Sequence, residues 1–268
     1  MKNNLQAANK SLNTASTFWF VITAIGQFIF ALYVIMLYGK SGVEGNFQNW
    51  NKAVPNGYHQ NDILGNIIFG IHLALAAVIT IGGPLQLIPN IRQRTPKFHR
   101  ILGRIYIVSA FIIALAGLYL TWVRGGVGDT FSALFISGNA IIIMACAFNA
   151  IKYAVARNIR VHNQWALRLF VAVSGVYFFR IGLMLWLAIF RRPVGFDPET
   201  FSGPFLIGLG IVVYILPVFF VELYLRAKNG KSIVFKIALT IFLILLTLGM
   251  AVGILSAVKG MWLPRLRS

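Results

Sequence analysis

Apolar residues along this chain come in long blocks, neither alternating as in a strand nor spaced at a helical period. Seven blocks stand out, at about 17–38, 63–88, 101–123, 131–154, 166–190, 203–225 and 234–258. A hydrocarbon core ~30 Å thick needs about 20 residues rising 1.5 Å each, so each block predicts a membrane-spanning helix. Most connections are short, which predicts antiparallel helix hairpins. The two longer ones, 39–62 and 191–204, carry Pro and Gly that argue against regular structure; Trp50 and Tyr58 read as interfacial anchors. The expected fold is all-α, a polytopic transmembrane bundle of seven helices in a single domain, 1–268. Residues 64–190 form the core that carries its polar motifs.

Composition agrees, with 58% hydrophobic and only 11% charged residues, against about a quarter charged in a soluble domain. The first block is longer than a signal-peptide core and ends in "MLYGK", so it reads as a retained helix. A net charge of +18 raises nucleic acid as a partner, but the basic residues sit in short connections and at helix ends, which excludes it. They also set an orientation. Fifteen fall on the side of the N-terminus and eight on the other, with Arg180 between. The positive-inside rule then places the N-terminus inside and the C-terminus outside; in a bacterium this is a multi-pass protein of the cytoplasmic (inner) membrane. The single cysteine, Cys146, allows neither an internal disulfide nor a cysteine-based metal site.

The connection "IRQRTPKFHRILGRIY", 91–106, adds a histidine to its arginines, and "ARNIRVHNQWALRLF", 156–170, repeats the arrangement. His99 follows Arg94 by five residues and His162 follows Arg157 by five, so each histidine opens a helix after a basic connection. Helix N-termini with Arg100, Arg104, Arg160 and Arg168 nearby favour anions. Two readings stay open. One is a surface for lipid phosphates. The other is a cofactor site, with His99 and His162 as the metal ligands of a haem b, or as contacts of a quinone, and the arginines on its acidic groups. Cytochromes with two haems pair histidines about four helical turns apart on one helix; here the residue fourteen after His72 is Gln86, so two haems are not supported. Covalent haem is excluded by the lack of Cys-x-x-Cys-His.

Arg180, in "VYFFRIGLMLW", lies near the middle of the fifth block. A mid-membrane arginine costs at least about 3 kcal/mol, so it should face the bundle and hold a partner. Glu222, the one acid within a block, lies too near the end of its helix to reach it easily. His72 lies at a similar depth, and Gly65, His72, Ala76, Gly83 and Gln86 share one helical face. His72, Gln86 and Arg180 are therefore the candidate ligand pocket, expected between the second and fifth helices. No zinc-protease, P-loop or nucleophile-elbow motif is present, and no residue names a catalytic reaction.

Through the second-helix histidine, "HRILGRIY" (99–106) and "RVHNQWALR" (160–168), the chain resembles the bacterial membrane proteins grouped as domain of unknown function 2306, a family to which no activity attaches. The likeness covers roughly 64–190. A looser likeness of the HR-x-x-GR segment is to cytochrome b561-type haem proteins, from which this chain departs by lacking a second histidine pair. The leading expectation is a small membrane redox protein binding haem or quinone near the cytoplasmic side, with electron transfer to another redox protein. The alternative is a non-enzymatic transporter, or a membrane protein binding a small molecule or lipid in an intramembrane His/Arg pocket. Membrane lipids are partners under either, and the oligomeric state is not legible.

Overall fold

The computed structural model describes residues 2–55, 57–126 and 128–267, with Lys2 described in its backbone only. Six helices are long and apolar enough to cross a bilayer: α1 (Asn3–Val43), α2 (Ile63–Leu87), α3 (Pro96–Trp122), α4 (Thr130–Val155), α7 (Pro204–Asn229) and α8 (Ile233–Arg267). A seventh crossing is the bent pair α5 (Ile159–Val173) and α6 (Gly175–Phe190). Large apolar side chains line the outside of the bundle, including Leu115, Ile141, Phe148, Leu245 and Leu255, each more than half exposed. Such a belt would be costly in water and is what hydrocarbon contact requires.

Helix starts follow local chemistry. Asp62, Asp129, Asn158 and Ser232 each accept a hydrogen bond from the backbone N–H three residues on, at 2.8, 2.9, 3.3 and 3.3 Å, and so cap α2, α4, α5 and α8. Helix α1 extends well below its apolar block, because residues 2–25 contain neither Gly nor Pro. Its lower turns bury Leu12 against Ala227 of α7 and Leu239 of α8. The bundle thus has an arginine-rich end, with the connections before α3, α5 and α8, and a long-loop end, with those before α2, α4 and α7.

The structure corrects two expectations. The connection 39–62 is folded: it carries a 3-10 helix, Phe47–Lys52, and its Trp50 is no interfacial anchor but a buried residue donating to the Tyr38 carbonyl at 3.1 Å. Tyr58 stacks on Phe47 with ring centroids 5.7 Å apart. Second, the fifth block is not one straight helix but bends by 49° at Ser174. No proline causes the bend. Polar side chains from neighbouring helices sustain it: Asn139 of α4 donates to the Ala172 carbonyl at 3.2 Å, and Gln27 of α1 donates to Ser174 Oγ at 2.7 Å. Backbone groups loosened by a bend at membrane depth need such partners, since lipid offers none.

Packing divides into two lobes. Phe30, Tyr177, Ile181, Met250 and Ile254 join α1, α6 and α8. Ile79, Tyr106, Ala110, Ala147 and Leu169 join α2 through α5. Helices α6 and α8 touch backbone to backbone, since a Cβ at Gly253 would stand 2.5 Å from the Ile181 carbonyl oxygen. Helices α7 and α8 meet at the arginine-rich end, where Phe220 stacks on Phe242 at 4.7 Å and the buried Lys236 donates to the Ala227 carbonyl.

Candidate functional site

A cavity of about 1300 Å³ runs along α5, α6, α7 and α8 from one end of the bundle to the other. Arg92, Arg160 and Lys228 stand at its arginine-rich end, and Trp186, Ile189 and Phe205 near the long-loop end. Between them its wall is almost wholly apolar. Val212 and Leu245 line it while remaining more than half exposed, so the cavity opens sideways toward the surrounding hydrocarbon.

His99 and His162 both reach this cavity and lie within electrostatic range of each other. Their equivalence in the sequence is structural: each amide closes the first α-turn onto the residue that begins its helix, His99 to the Thr95 carbonyl at 3.1 Å and His162 to that of Asn158 at 2.9 Å. His162 Nδ1 contacts the Ala150 carbonyl oxygen at 2.9 Å, which makes Nδ1 the protonated nitrogen and leaves Nε2 as the open one. Gln86 joins them, donating to the His99 carbonyl at 3.2 Å.

Three further atoms complete this end. His99 Nδ1, Tyr106 Oη and Trp19 Nε1 are buried with no hydrogen-bond partner among the described residues, and all three residues line the cavity. Trp19 and Tyr106 both come close to Phe170. The Trp19 ring meets the Phe170 ring edge-on at 6.4 Å. A Cβ at Gly83 would stand 3.0 Å from Phe170 and 3.2 Å from the Tyr106 hydroxyl, so glycine is what lets α2, α3 and α5 converge there. Tyr106 lies seven residues beyond His99, on the same face of α3; that spacing was readable in the sequence. Trp19 carried no signal beyond an indole in an apolar block.

The arginines are placed otherwise than expected. Arg100 and Arg104 are exposed and do not line the cavity. At about 100° per residue they stand roughly 100° and 140° around α3 from His99. Arg168 is committed to Glu222, Nε to Oε1 at 2.5 Å, with its guanidinium 4.6 Å from the Trp165 ring. Arg92 donates to Asn163 at 3.0 Å, tying the segment before α3 to α5. Among the described residues no group of three or more His, Cys, Asp or Glu side chains converges on one point.

The expected trio of His72, Gln86 and Arg180 divides. Gln86 lies fourteen residues beyond His72, about 21 Å along α2, and belongs to the histidine end. His72 and Arg180 do come within electrostatic range of each other, apart from the large cavity. Arg180 is partly exposed, its guanidinium 5.3 Å from the Phe30 ring and donating to the Val176 carbonyl at 3.3 Å. His72 Nδ1 is buried without a partner among the described residues.

No curated protein and no solved structure matches the chain. A family described as predicted membrane proteins, DUF2306, matches residues 69–221, a span from α2 to α7 that carries both histidines, Tyr106 and Arg180. With more than half of its length matched, the chain belongs to that family of membrane proteins.

Proposed function

We propose that this protein binds a long-chain quinone, with the ring at the His99/His162 end and the isoprenoid tail along the apolar cavity. The observation that carries the reading is the set of three unpartnered buried atoms, His99 Nδ1, Tyr106 Oη and Trp19 Nε1, at one end of a groove open to lipid. An indole N–H and a phenol O–H donate, and imidazole does either. A ligand offering carbonyl oxygens satisfies them, and its tail replaces water or lipid along the wall. The chain supplies binding, orientation and proton exchange at the histidines; electrons come from another redox protein. The charge asymmetry puts this end on the cytoplasmic side. Alkaline phosphatase fused after Ser268 should then be active, and a fusion near Lys97 inactive.

One observation favours haem b as the second reading. Nδ1 of His162 on a carbonyl with Nε2 open is how axial histidines are held. Purification in mild detergent separates the two. Solvent extraction should release a quinone in about equimolar amount, and the absorption spectrum should lack a Soret band. A Soret band lost in His162→Ala would replace the quinone reading with haem. Extraction yielding phospholipid alone would leave a lipid-binding protein.

A further inference from the structure

The polar group around Arg180 lies outside the quinone reading, and its composition is one-sided. Helices α1, α2, α6 and α7 all contribute: Arg180 acts electrostatically on His72, Tyr38 and Tyr214, and its guanidinium faces Phe30. Phe30, Tyr38 and Tyr214 are buried, while Arg180 keeps accessible surface. Its side chain leans back along α6, toward the positive end of that half-helix.

No negative charge stands near it among the described residues: no carboxylate pairs with Arg180. Tyr33 Oη and Trp262 Nε1 are buried without hydrogen-bond partners among the described residues, and the Trp262 ring lies against those of Phe30 and Tyr33 at 5.4 and 5.9 Å. A guanidinium has five N–H donors, of which one protein acceptor is accounted for. The backbone adds an independent sign. The described residues contain three π-helical turns, Ile35–Gly39, Ile211–Ile215 and Val258–Trp262. Each delivers one aromatic residue to this group: Tyr38, Tyr214 and Trp262. Such turns distort the hydrogen-bond ladder and recur at functional sites; here they lie on three separate helices, and Tyr38 and Trp262 also pack in the core with Phe30.

We infer that Arg180 is the centre of a second site, which binds an oxyanion, a carboxylate or phosphate group, between α1, α2, α6 and α7. The ion accepts from the guanidinium and from the Tyr38 and Tyr214 hydroxyls, supplying the charge that the cluster lacks. At the long-loop end Arg265 also acts electrostatically on Tyr38.

The test is equilibrium dialysis of the purified protein against radiolabelled octanoate and, separately, inorganic phosphate, with octanol as the uncharged control. Saturable binding of octanoate identifies an acid borne on a tail, and of phosphate a free ion. Either should weaken by about tenfold or more in Arg180→Gln, as loss of a charged hydrogen-bond partner requires, and persist in His99→Ala. Should Arg180→Gln fail to fold, Tyr38→Phe keeps the packing and should weaken binding about threefold or more. No saturable binding of either anion, octanol binding equally well, unchanged affinity in the folded variant, or loss in His99→Ala would each overturn the assignment.

Discussion

At the arginine-rich end cations are plentiful, and several are engaged. Arg168 holds Glu222, Arg92 holds Asn163, and Arg100 donates to the Pro96 carbonyl at 3.3 Å. The unpartnered buried atoms there include an imidazole, a phenol and an indole beside a wide apolar groove, together with Arg168 Nη1. Around Arg180 the balance is different, with no carboxylate paired to it among the described residues and neutral aromatic donors close by. Charge density therefore does not locate a ligand in this bundle. Both proposed sites rest instead on unsatisfied atoms, because a buried polar group without a partner costs about 1–3 kcal/mol.

The contrast can be broken by substitution. The largest effect is expected at Gly253→Leu, where a side chain must displace the Ile181 backbone; overpacking there should cost about 3 kcal/mol or more and remove the Arg180 region from the folded protein. Thermal unfolding in detergent measures it, and an unchanged midpoint would mean that α6 and α8 do not touch as described. Glu222→Gln comes next. It leaves Arg168, whose side chain is only 12% exposed, without its anion, at about 2–3 kcal/mol, while quinone content stays the same. Gln27→Ala removes the hydroxyl's partner at the bend and should cost about 1–2 kcal/mol; it should also alter anion binding before quinone binding, since Arg180 lies in the half-helix beyond the bend. Arg104→Ala is expected to change stability by no more than about 0.5 kcal/mol and quinone content not at all. A quinone lost in Arg104→Ala would return the exposed arginines to the site.

Block length and charge placement made the seven crossings legible, as they reflect bilayer thickness and the cost of burying charge. The bend at Ser174 was not, because its cause is an asparagine on α4 and a glutamine on α1, each meeting α5 only after assembly. His99 and His162 were legible as a pair through their shared place at helix starts. The placement of Arg100 and Arg104 was not legible from proximity to His99, since the turn of the helix carries them away from the cavity. Trp19, Tyr38, Tyr214 and Trp262 gave no sign, being ordinary aromatics in apolar blocks until the fold left their polar atoms unpaired or beside a cation.

The central claim is that the unpartnered atoms at the histidine end hold the quinone ring, and Tyr106→Phe tests it most directly. The substitution removes one buried oxygen that no described residue bonds, so the fold should be unharmed or slightly stabilised. Titration with a decyl-substituted benzoquinone, followed by quenching of tryptophan fluorescence, should give saturable binding to the wild type and about tenfold weaker binding to Tyr106→Phe. Equal affinities in two well-folded proteins would contradict the account.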